Sequence, residues 1–413
     1  MFVKKIFTDV CIAGAGPAGA TTSITLSKLS IPHVIVDTSE FPRDKICGDG
    51  LDLKVVRVLN QIDPSIVKNE LSSQQDFVQS MGMRFILPNG KNIDLLCNNK
   101  NGNTLFNQPI FYVSKRTKFD NFLLNKIDKN FSDLRLGLRI YKIEKENNQW
   151  KLFGKTASNE IEINTKILVA ADGDQSIVLK YVGDKKINRS HYAAAVRQYW
   201  RGVQDIHPQK LIELYFPAKH PFAYFWIFPL NNNEANVGYG MASYYVAKKN
   251  INVREALADL IKNDIYLAPR FKNAQPLEQP KGWGIPMSSL HRKAHGDGWL
   301  LVGDAASLVC PNSGEGIGTG MLSGYIAAHF IQRAIKKNSF SKNMFTNYDR
   351  EIHKGILQEE RLYKFANAMP AFLFTKALNT IFSSNFFQRW YKEKELKRWL
   401  VTAYQKPIKI NFD

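Results

Sequence analysis

The stretch Asp9-Val10-Cys11-Ile12-Ala13-Gly14-Ala15-Gly16-Pro17-Ala18-Gly19 decides how the N-terminal part of this chain folds. The apolar run to Ala13 reads as a buried strand, the glycines as a tight turn, Ala20 to Leu29 as a helix and His33 to Asp37 as a second short strand. In that setting Gly14 permits the turn, Gly16 lets a pyrophosphate approach the backbone, and Gly19 allows the helix to pack closely on the strand. The helix N-terminus adds unpaired N–H donors and a dipole that favours an anion. Asp37 lies 18 residues past Gly19, where a carboxylate can accept hydrogen bonds from an adenosine ribose. Strand, turn, helix and acid together read as dinucleotide binding in an α/β, Rossmann-like domain.

The 413 residues exceed the roughly 300 at which a single core stops growing, so more than one packed unit is expected. An apolar content of 44% excludes a disordered chain. Four scattered cysteines, Cys11, Cys47, Cys97 and Cys310, match neither a disulfide framework nor a metal-ligand spacing. They point to a cytoplasmic protein without a metal site. No apolar run approaches the ~20 residues of a spanning helix. The net charge of +19 admits nucleic acid, an anionic lipid surface or a lysine-rich solvated exterior. The bases are scattered rather than gathered in a stripe, which argues against nucleic acid.

Three later segments favour FAD over a nicotinamide as the dinucleotide. Ile167 to Gly173 is an apolar strand closing on Ala170-Ala171-Asp172-Gly173. Gly298 to Ala306 is another, and it delivers Asp304 where a carboxylate can bind ribityl hydroxyls. Gly314-Glu315-Gly316-Ile317-Gly318-Thr319-Gly320 then opens a helix running to Ile331, whose start can stabilise negative charge on a reduced flavin. Its glycines at 316, 320 and 324 leave a smooth face for a flat ring or, equally, for a neighbouring helix. The cofactor-binding candidates on these segments are Gly14, Gly16, Gly19, Asp37, Asp304, Gly314, Gly316, Ile317 and Gly318. Arg43 and Lys45, after the second strand, can meet cofactor phosphates or balance a reduced flavin, or stand solvated.

Two further blocks carry a resemblance. Phe41-Pro42-Arg43-Asp44-Lys45-Ile46-Cys47-Gly48-Asp49-Gly50-Leu51 is one; Tyr224-Phe225-Trp226-Ile227-Phe228-Pro229, followed after eight residues by Gly238-Tyr239-Gly240, is the other. Both are similar to stretches of the FAD-dependent geranylgeranyl reductase family, within the para-hydroxybenzoate-hydroxylase-like flavoproteins. With the glycine turn and Gly303-Asp304, the likeness spans about residues 8–335. It implies that Cys47 sits near the flavin ring, that Arg116 begins a second FAD-contacting helix, and that the aromatic pattern lines a channel for an isoprenoid or lipid tail. It further implies saturation of isolated carbon–carbon double bonds, with electrons from NAD(P)H or a reduced protein carrier. Cys47, Tyr224 and Trp226 are the catalytic candidates, the proton coming from Cys47, Tyr224 or an ordered water. Tyr224, Trp226, Phe228, Gly238 and Gly240 are the substrate-binding candidates. Cys47 and Cys310 follow segments that converge on the flavin in that family's fold, and they could approach as a redox-responsive pair.

From the residues alone, Tyr224, Trp226 and Phe228 alternate with period two and share one face of a strand, as a ligand wall or as a core sheet face. Gly238 and Gly240 leave room on the returning strand for a ligand or cofactor. The rival readings are a flavin-dependent monooxygenase acting on an apolar or aromatic substrate and a noncatalytic lipid-binding flavoprotein. A halogenase fits poorly, because its double-tryptophan motif ending in Ile-Pro has no counterpart here.

The cofactor unit is expected to be discontinuous, at 1–77, 104–186 and 282–335. An antiparallel-sheet substrate unit at 78–103 and 187–281 interrupts it, and a helical region follows at 336–413. In that last region Phe345, Tyr348, Ile352 and Ile356 have helical spacing. Pro370 interrupts that spacing before an apolar run from Phe372 to Phe387, and the segment that follows, Arg389 to Trp399, mixes aromatics with bases and can rest at an anionic bilayer or pack across the substrate cavity. The expected partners are a lipid substrate, an electron-transfer protein and the inner face of a membrane.

Overall fold

The computed structural model describes residues 4–97, 107–182 and 187–412. Lys4–Ala13 lies at the centre of a mainly parallel sheet, between Glu160–Ala170 and His33–Val36; Trp299–Leu301 and Ser132–Arg135 extend it on either side. The central strands are apolar runs because both faces are covered. Val10, Cys11, Ile12 and all of Ile167 to Ala170 have no exposure. Arg139–Glu146 and Gln149–Lys155 form an antiparallel hairpin on Glu160–Ala170.

The helix after the glycine turn spans Pro17–Lys28, starting at Pro17 rather than Ala20. Proline suits that first position, where its missing N–H would have had no partner. Every residue from Gly19 to Ser27 is buried, for the helix also packs on Ile317–Lys336. Thr22 and Thr25 return their hydroxyls to the Ala18 and Thr21 carbonyls at 2.9 and 2.8 Å, which keeps their polar atoms satisfied there. A Cβ on Gly324 would stand 2.4 Å from the Ala18 carbonyl oxygen. At that position the smooth glycine face meets a helix and not a flat ring.

The second sheet is built on Tyr192–Arg201, Glu234–Ala242, Ala223–Pro229 and Ile212–Tyr215, antiparallel in that order, with Lys281–Pro286 on the outer side of the first. The hairpin of Gly82–Ile86 and Asn92–Leu96 joins it through a parallel pairing of Gly82–Ile86 with Ile212–Tyr215, so the sheet is not wholly antiparallel as expected. Val78–Ser80 departs to a small sheet with Phe111–Val113 and Gly50–Leu51. Lys281–Pro286 runs across the 281/282 division read from the sequence. Positions 98–106 and 183–186 of that division lie outside the described residues.

Beyond Lys336 the chain is helical, with Tyr348–His353, Leu357–Ala368, Ala371–Ser383, Asn385–Trp390 and Lys397–Tyr404. Phe345, Tyr348, Ile352 and Ile356 join the core of the parallel-sheet side. Tyr391, Leu396 and Leu400 close against Phe85 and Leu95 of the hairpin. Phe372 and Phe386 instead stand 71% and 80% exposed. The aromatic rings therefore divide, Phe382 and Phe387 packing with Tyr391 toward the hairpin while Phe372 and Phe386 face solvent. Among the described residues no helix is long and apolar enough to cross a membrane.

Candidate functional site

One cavity of about 1810 Å³ is lined from both large sheets and from the C-terminal helices. Of the residues singled out in the sequence, Gly14, Gly16, Asp37, Asp304, Gly316 and Ile317 line it from the parallel-sheet side. Arg43, Lys45, Cys47, Arg116 and Gly314 join them, and Tyr224, Trp226, Phe228 and Gly240 face it from the second sheet. Gly19, Gly238 and Gly318 are absent from its wall.

The glycine turn is tightly determined. Gly14 has φ +106°, and a Cβ there would lie 2.2 Å from the Ala171 carbonyl oxygen, so only glycine fits. Gly19 presses on the Gly14 carbonyl in the packing role expected of it. Asp37 braces the same turn: its Oδ2 accepts from Ala15 N at 2.7 Å and its Oδ1 from Ser39 N at 2.8 Å, leaving each oxygen a second lone pair. Gly16 precedes Pro17–Lys28, and Gly316 precedes Ile317–Lys336, and no side chain caps either helix. Two sets of first-turn N–H groups are therefore open to acceptors. Gly318 is in addition a packing position, for a Cβ there would meet Asp52 Oδ1 at 2.2 Å, while its N–H belongs to the open first turn of Ile317–Lys336.

The basic residues are held in place. Arg116 makes a forked pair with Asp120 at 2.6 and 2.8 Å, and Arg43 donates to the same carboxylate at 2.7 Å. Asp120 was not among the sequence candidates, yet its i,i+4 spacing from Arg116 on a helix is the signal for it. The Lys45 ammonium lies 3.1 Å from the centre of the Trp283 ring, and burial draws its pKa down to about 8. Burial pushes the Asp304 carboxyl up, with Lys45 and Arg116 pulling it back. Burial likewise pushes the Cys47 thiol up, opposed by Arg116.

The aromatic wall is a ladder, with ring centres 5.9 Å apart from Tyr224 to Trp226 and 6.4 Å from Trp226 to Phe228. Tyr224 donates its hydroxyl to the Ser313 carbonyl at 2.6 Å. The Trp226 indole N–H donates to Asn236 Oδ1 at 2.9 Å, and the Asn236 amide donates in turn to the Cys47 carbonyl and Asp49 Oδ2, each at 2.8 Å. Tyr199 donates to the same Asp49 oxygen at 2.6 Å. A Cβ on Gly238 would lie 2.1 Å from the Trp226 ring. The space that glycine leaves is filled by the indole and not by a ligand, which corrects the sequence expectation for that position. Asp49, Tyr199 and Asn236 were missed in the sequence, because nothing in a strand pattern reveals which polar residues meet across three segments.

None of the four cysteines is in a disulfide. Cys47 and Cys310 both line the cavity but form no disulfide. His291, His353 and Glu360 gather at the edge of the tail, with His291 Nε2 2.8 Å and His353 Nδ1 3.2 Å from the carboxylate. The two imidazoles stack at 4.7 Å and 14°, so their in-plane lone pairs run side by side instead of converging as metal ligation requires. The arrangement is a hydrogen-bonded clamp between segments.

These features fit FAD: two uncapped helix starts, a glycine turn with no room for a side chain, and an acid at the end of a strand surround one long cavity. Its volume exceeds the roughly 300–1,000 Å³ of an ordinary ligand pocket, leaving room for a second ligand. Residues 7–354 match the family described as FAD binding domain. The digeranylgeranylglycerophospholipid reductase of Methanococcus vannielii is 28% identical over 362 residues, covering 86% of this chain and 85% of that protein. A crystal structure of a geranylgeranyl bacteriochlorophyll reductase-like protein from Thermoplasma acidophilum superposes with a TM-score of 0.79 at 25% identity, covering 96% of this chain and 98% of that one. A flavin-dependent brominase, with a TM-score of 0.73 at 20% identity and 97% and 94% coverage, shares the fold alone.

Proposed function

The chain belongs to the FAD binding domain family and is an FAD-dependent oxidoreductase of the geranylgeranyl reductase type, and we propose that it saturates carbon–carbon double bonds in the prenyl chains of a lipid. The observation that carries the reading is the single cavity joining the glycine turn to the Tyr224, Trp226 and Phe228 wall. The same protein chain offers a cofactor cradle and an apolar surface within one enclosure.

FAD, when bound and reduced, supplies the hydride for one carbon of the double bond. The chain's own residues do the rest. Gly14, Gly16 and the first turn of Pro17–Lys28 would hold the pyrophosphate, and Asp37 the adenosine ribose. Asp304 would take the ribityl hydroxyls, and the uncapped start of Ile317–Lys336 would sit where negative charge collects. Arg116 and Arg43, locked on Asp120, would keep a fixed positive field beside Cys47. The aromatic wall would orient the chain and exclude water. Tyr224 has its proton engaged by Ser313, and burial holds both its phenol and the Cys47 thiol protonated. Cys47, whose thiol is not tied to a carbonyl in this way, is the proton donor we favour for the second carbon.

We also propose a division into three units along those lines, with the second unit running on through Lys281–Pro286, and a peripheral contact with an anionic membrane through the exposed rings of Ala371–Ser383 and Asn385–Trp390. The net charge of +19 and the exposure of Phe372 and Phe386 support that contact. The decisive experiment for the reaction is anaerobic. With the flavin chemically prereduced, prenyl lipids are offered and flavin reoxidation is followed together with product mass. A gain of two hydrogens per double bond is expected. Insertion of oxygen on admitting air, with no saturation, would instead establish the monooxygenase reading.

A further inference from the structure

Asp49 borders the cavity without a part in the reaction as described. It has no exposure and sits at φ +65°, the left-handed region that few residues with a Cβ occupy. The turn from Cys47 to Gly50 is pinned in that conformation. The Asp49 carbonyl accepts from Ser114 N at 3.1 Å and the Cys47 carbonyl from Asn236 at 2.8 Å, while a Cβ on Gly48 or Gly50 would stand 3.4 or 3.1 Å from the Phe228 ring. The Asp49 side chain is satisfied on one oxygen only. Oδ2 accepts from Tyr199 at 2.6 Å and Asn236 at 2.8 Å, whereas Oδ1 is buried with no hydrogen-bond partner among the described residues. A bare carboxylate oxygen shut away from water is costly, and a proton on it removes the charge.

The neighbour of this carboxyl is the thiol favoured as proton donor. The Cys47 sulfur lies against the Arg116 guanidinium and the Asp49 backbone N–H, and both favour its thiolate. Neither can give the sulfur its proton back, because a guanidinium and an amide are far too weak as acids. Tyr224 has its own proton on the Ser313 carbonyl. The charged groups facing the pair are Arg116, Arg197 and Lys45. Arg197 and Lys115 stand 4.1 and 4.8 Å from the centre of the Tyr199 ring, and Arg197 is itself bonded to Asp44 at 3.1 Å. Asp49 is therefore a buried carboxyl with one oxygen free, placed beside a sulfur that must be reprotonated after every cycle.

We propose that Asp49 returns to Cys47 the proton that Cys47 gives to the substrate carbon: the Oδ1–H bond breaks, the S–H bond re-forms, and the carboxylate left behind is held by the Tyr199 hydroxyl and the Asn236 amide. Each double bond takes one hydride from the reduced flavin and one proton from Cys47. That proton is replaced from Asp49, and the Asp49 carboxylate takes its own from water. Because it acts through Cys47, Asp49 is a positioning residue for the proton and not a catalytic one. The role rests on the reading of Cys47 as the donor. Burial, which pushes the Asp49 carboxyl up to about 6, keeps it an acid nearer to neutrality than an exposed aspartate would be.

Two regimes of the FAD-loaded protein separate this relay from a structural role. In single turnover, anaerobically prereduced protein meets geranylgeraniol in detergent and flavin reoxidation is followed. In steady state a chemical reductant is kept in excess and saturated product is counted by mass. Asp49→Asn keeps a residue type that tolerates the left-handed turn. Its single-turnover rate should stay within about two-fold of wild type, because Cys47 begins protonated, while steady state should fall at least about 10-fold. Wild-type steady state should decline as pH rises through about 6, and Tyr199→Phe, which removes a hydrogen bond favouring the carboxylate, should move that decline to higher pH. Equal loss in both regimes, no loss in steady state, or a decline near pH 8, where Lys45 gives up its proton, overturns the assignment. A readout without turnover is alkylation of Cys47 by iodoacetamide, followed by the mass of its peptide. Above pH 7 the Asp49 carboxylate opposes the thiolate, so the alkylation midpoint should drop by at least about one pH unit in Asp49→Asn; an unchanged midpoint overturns the coupling. If wild type saturates no double bond, the reaction reading falls and takes the relay with it. Saturation by wild type with an unmoved alkylation midpoint sinks the relay alone.

Discussion

Asp49 offers a sharp test of the polar network behind the aromatic wall. Its carboxyl has no exposure, and burial pushes its pKa up to about 6, with the hydrogen bonds from Tyr199 and Asn236 pulling the other way. A carboxyl raised in this way holds its proton more tightly when folded. It therefore favours the folded state below its unfolded pKa, and that advantage disappears as pH rises through about 6. The span from 3.8 to about 6 is worth ~3 kcal/mol, at 1.36 kcal/mol per pH unit. With an unfolding entropy of about 2.1 cal/mol/K per residue, a chain of 413 residues shifts its Tm by roughly 3 °C for that energy. Asp49→Asn keeps the shape but cannot ionise. It places an amide N–H where Oδ1 now has no partner, a cost that does not vary with pH. The assay is thermal unfolding of the FAD-loaded protein, followed by circular dichroism from pH 4 to pH 7. The Tm of Asp49→Asn relative to wild type should climb by roughly 3 °C across that range. Parallel profiles would refute the reasoning, because they would mean that Asp49 titrates as it does in the unfolded chain.

Other perturbations probe separate parts. Gly14→Ala must move the Ala171 backbone, and the purified protein should lose its flavin absorbance. Gly238→Ala pushes on the Trp226 ring and not on the cradle, so flavin content should hold while turnover of prenyl lipid falls at least about 10-fold; loss of flavin instead would show that the second sheet supports the cradle. Asp120→Ala leaves Arg116 and Arg43 without their carboxylate, a change expected to cost about 3–5 kcal/mol, read as a lowered denaturation midpoint. Phe372→Ser combined with Phe386→Ser should weaken sedimentation with anionic vesicles several-fold without altering flavin content, and unchanged sedimentation would exclude this face as the contact.

The parts of the fold that the sequence discloses are those where one residue type has a single physical use. Gly14 is such a position, since its φ and its closeness to Ala171 admit nothing larger. Val10 to Ala13 and Ile167 to Ala170 are others, since uninterrupted apolar runs suit strands covered on both faces. Pairing between distant segments is less visible. Gly82–Ile86 and Ile212–Tyr215 are short, largely apolar strands, and nothing in residues of that kind says whether the neighbour runs parallel. Gly238 shows the same limit in the site. A glycine in a strand signals that something comes close, and whether that is a ligand or the Trp226 indole depends on a residue 12 positions earlier in the chain. Asp49, Asn236 and Tyr199 are polar residues in three separate segments, and only the folded register makes them one network.

The chemistry of the wall bears on the choice between saturating a prenyl chain and hydroxylating a ring, because one flavoprotein fold serves both. A hydroxylated aromatic needs polar groups to orient it. At this wall the two polar tips already have partners within the protein, Tyr224 on the Ser313 carbonyl and Trp226 on Asn236. The ladder therefore offers ring carbon, with no free donor from either residue. Such a surface holds a hydrocarbon chain without fixing its register, so successive double bonds can reach the same place by sliding. Trp226→Phe tests the role of the wall: it keeps an apolar ring but leaves Asn236 Oδ1 without its donor, and it should lower turnover of prenyl lipid while leaving flavin content intact, whereas loss of flavin would show that the wall supports the cradle instead.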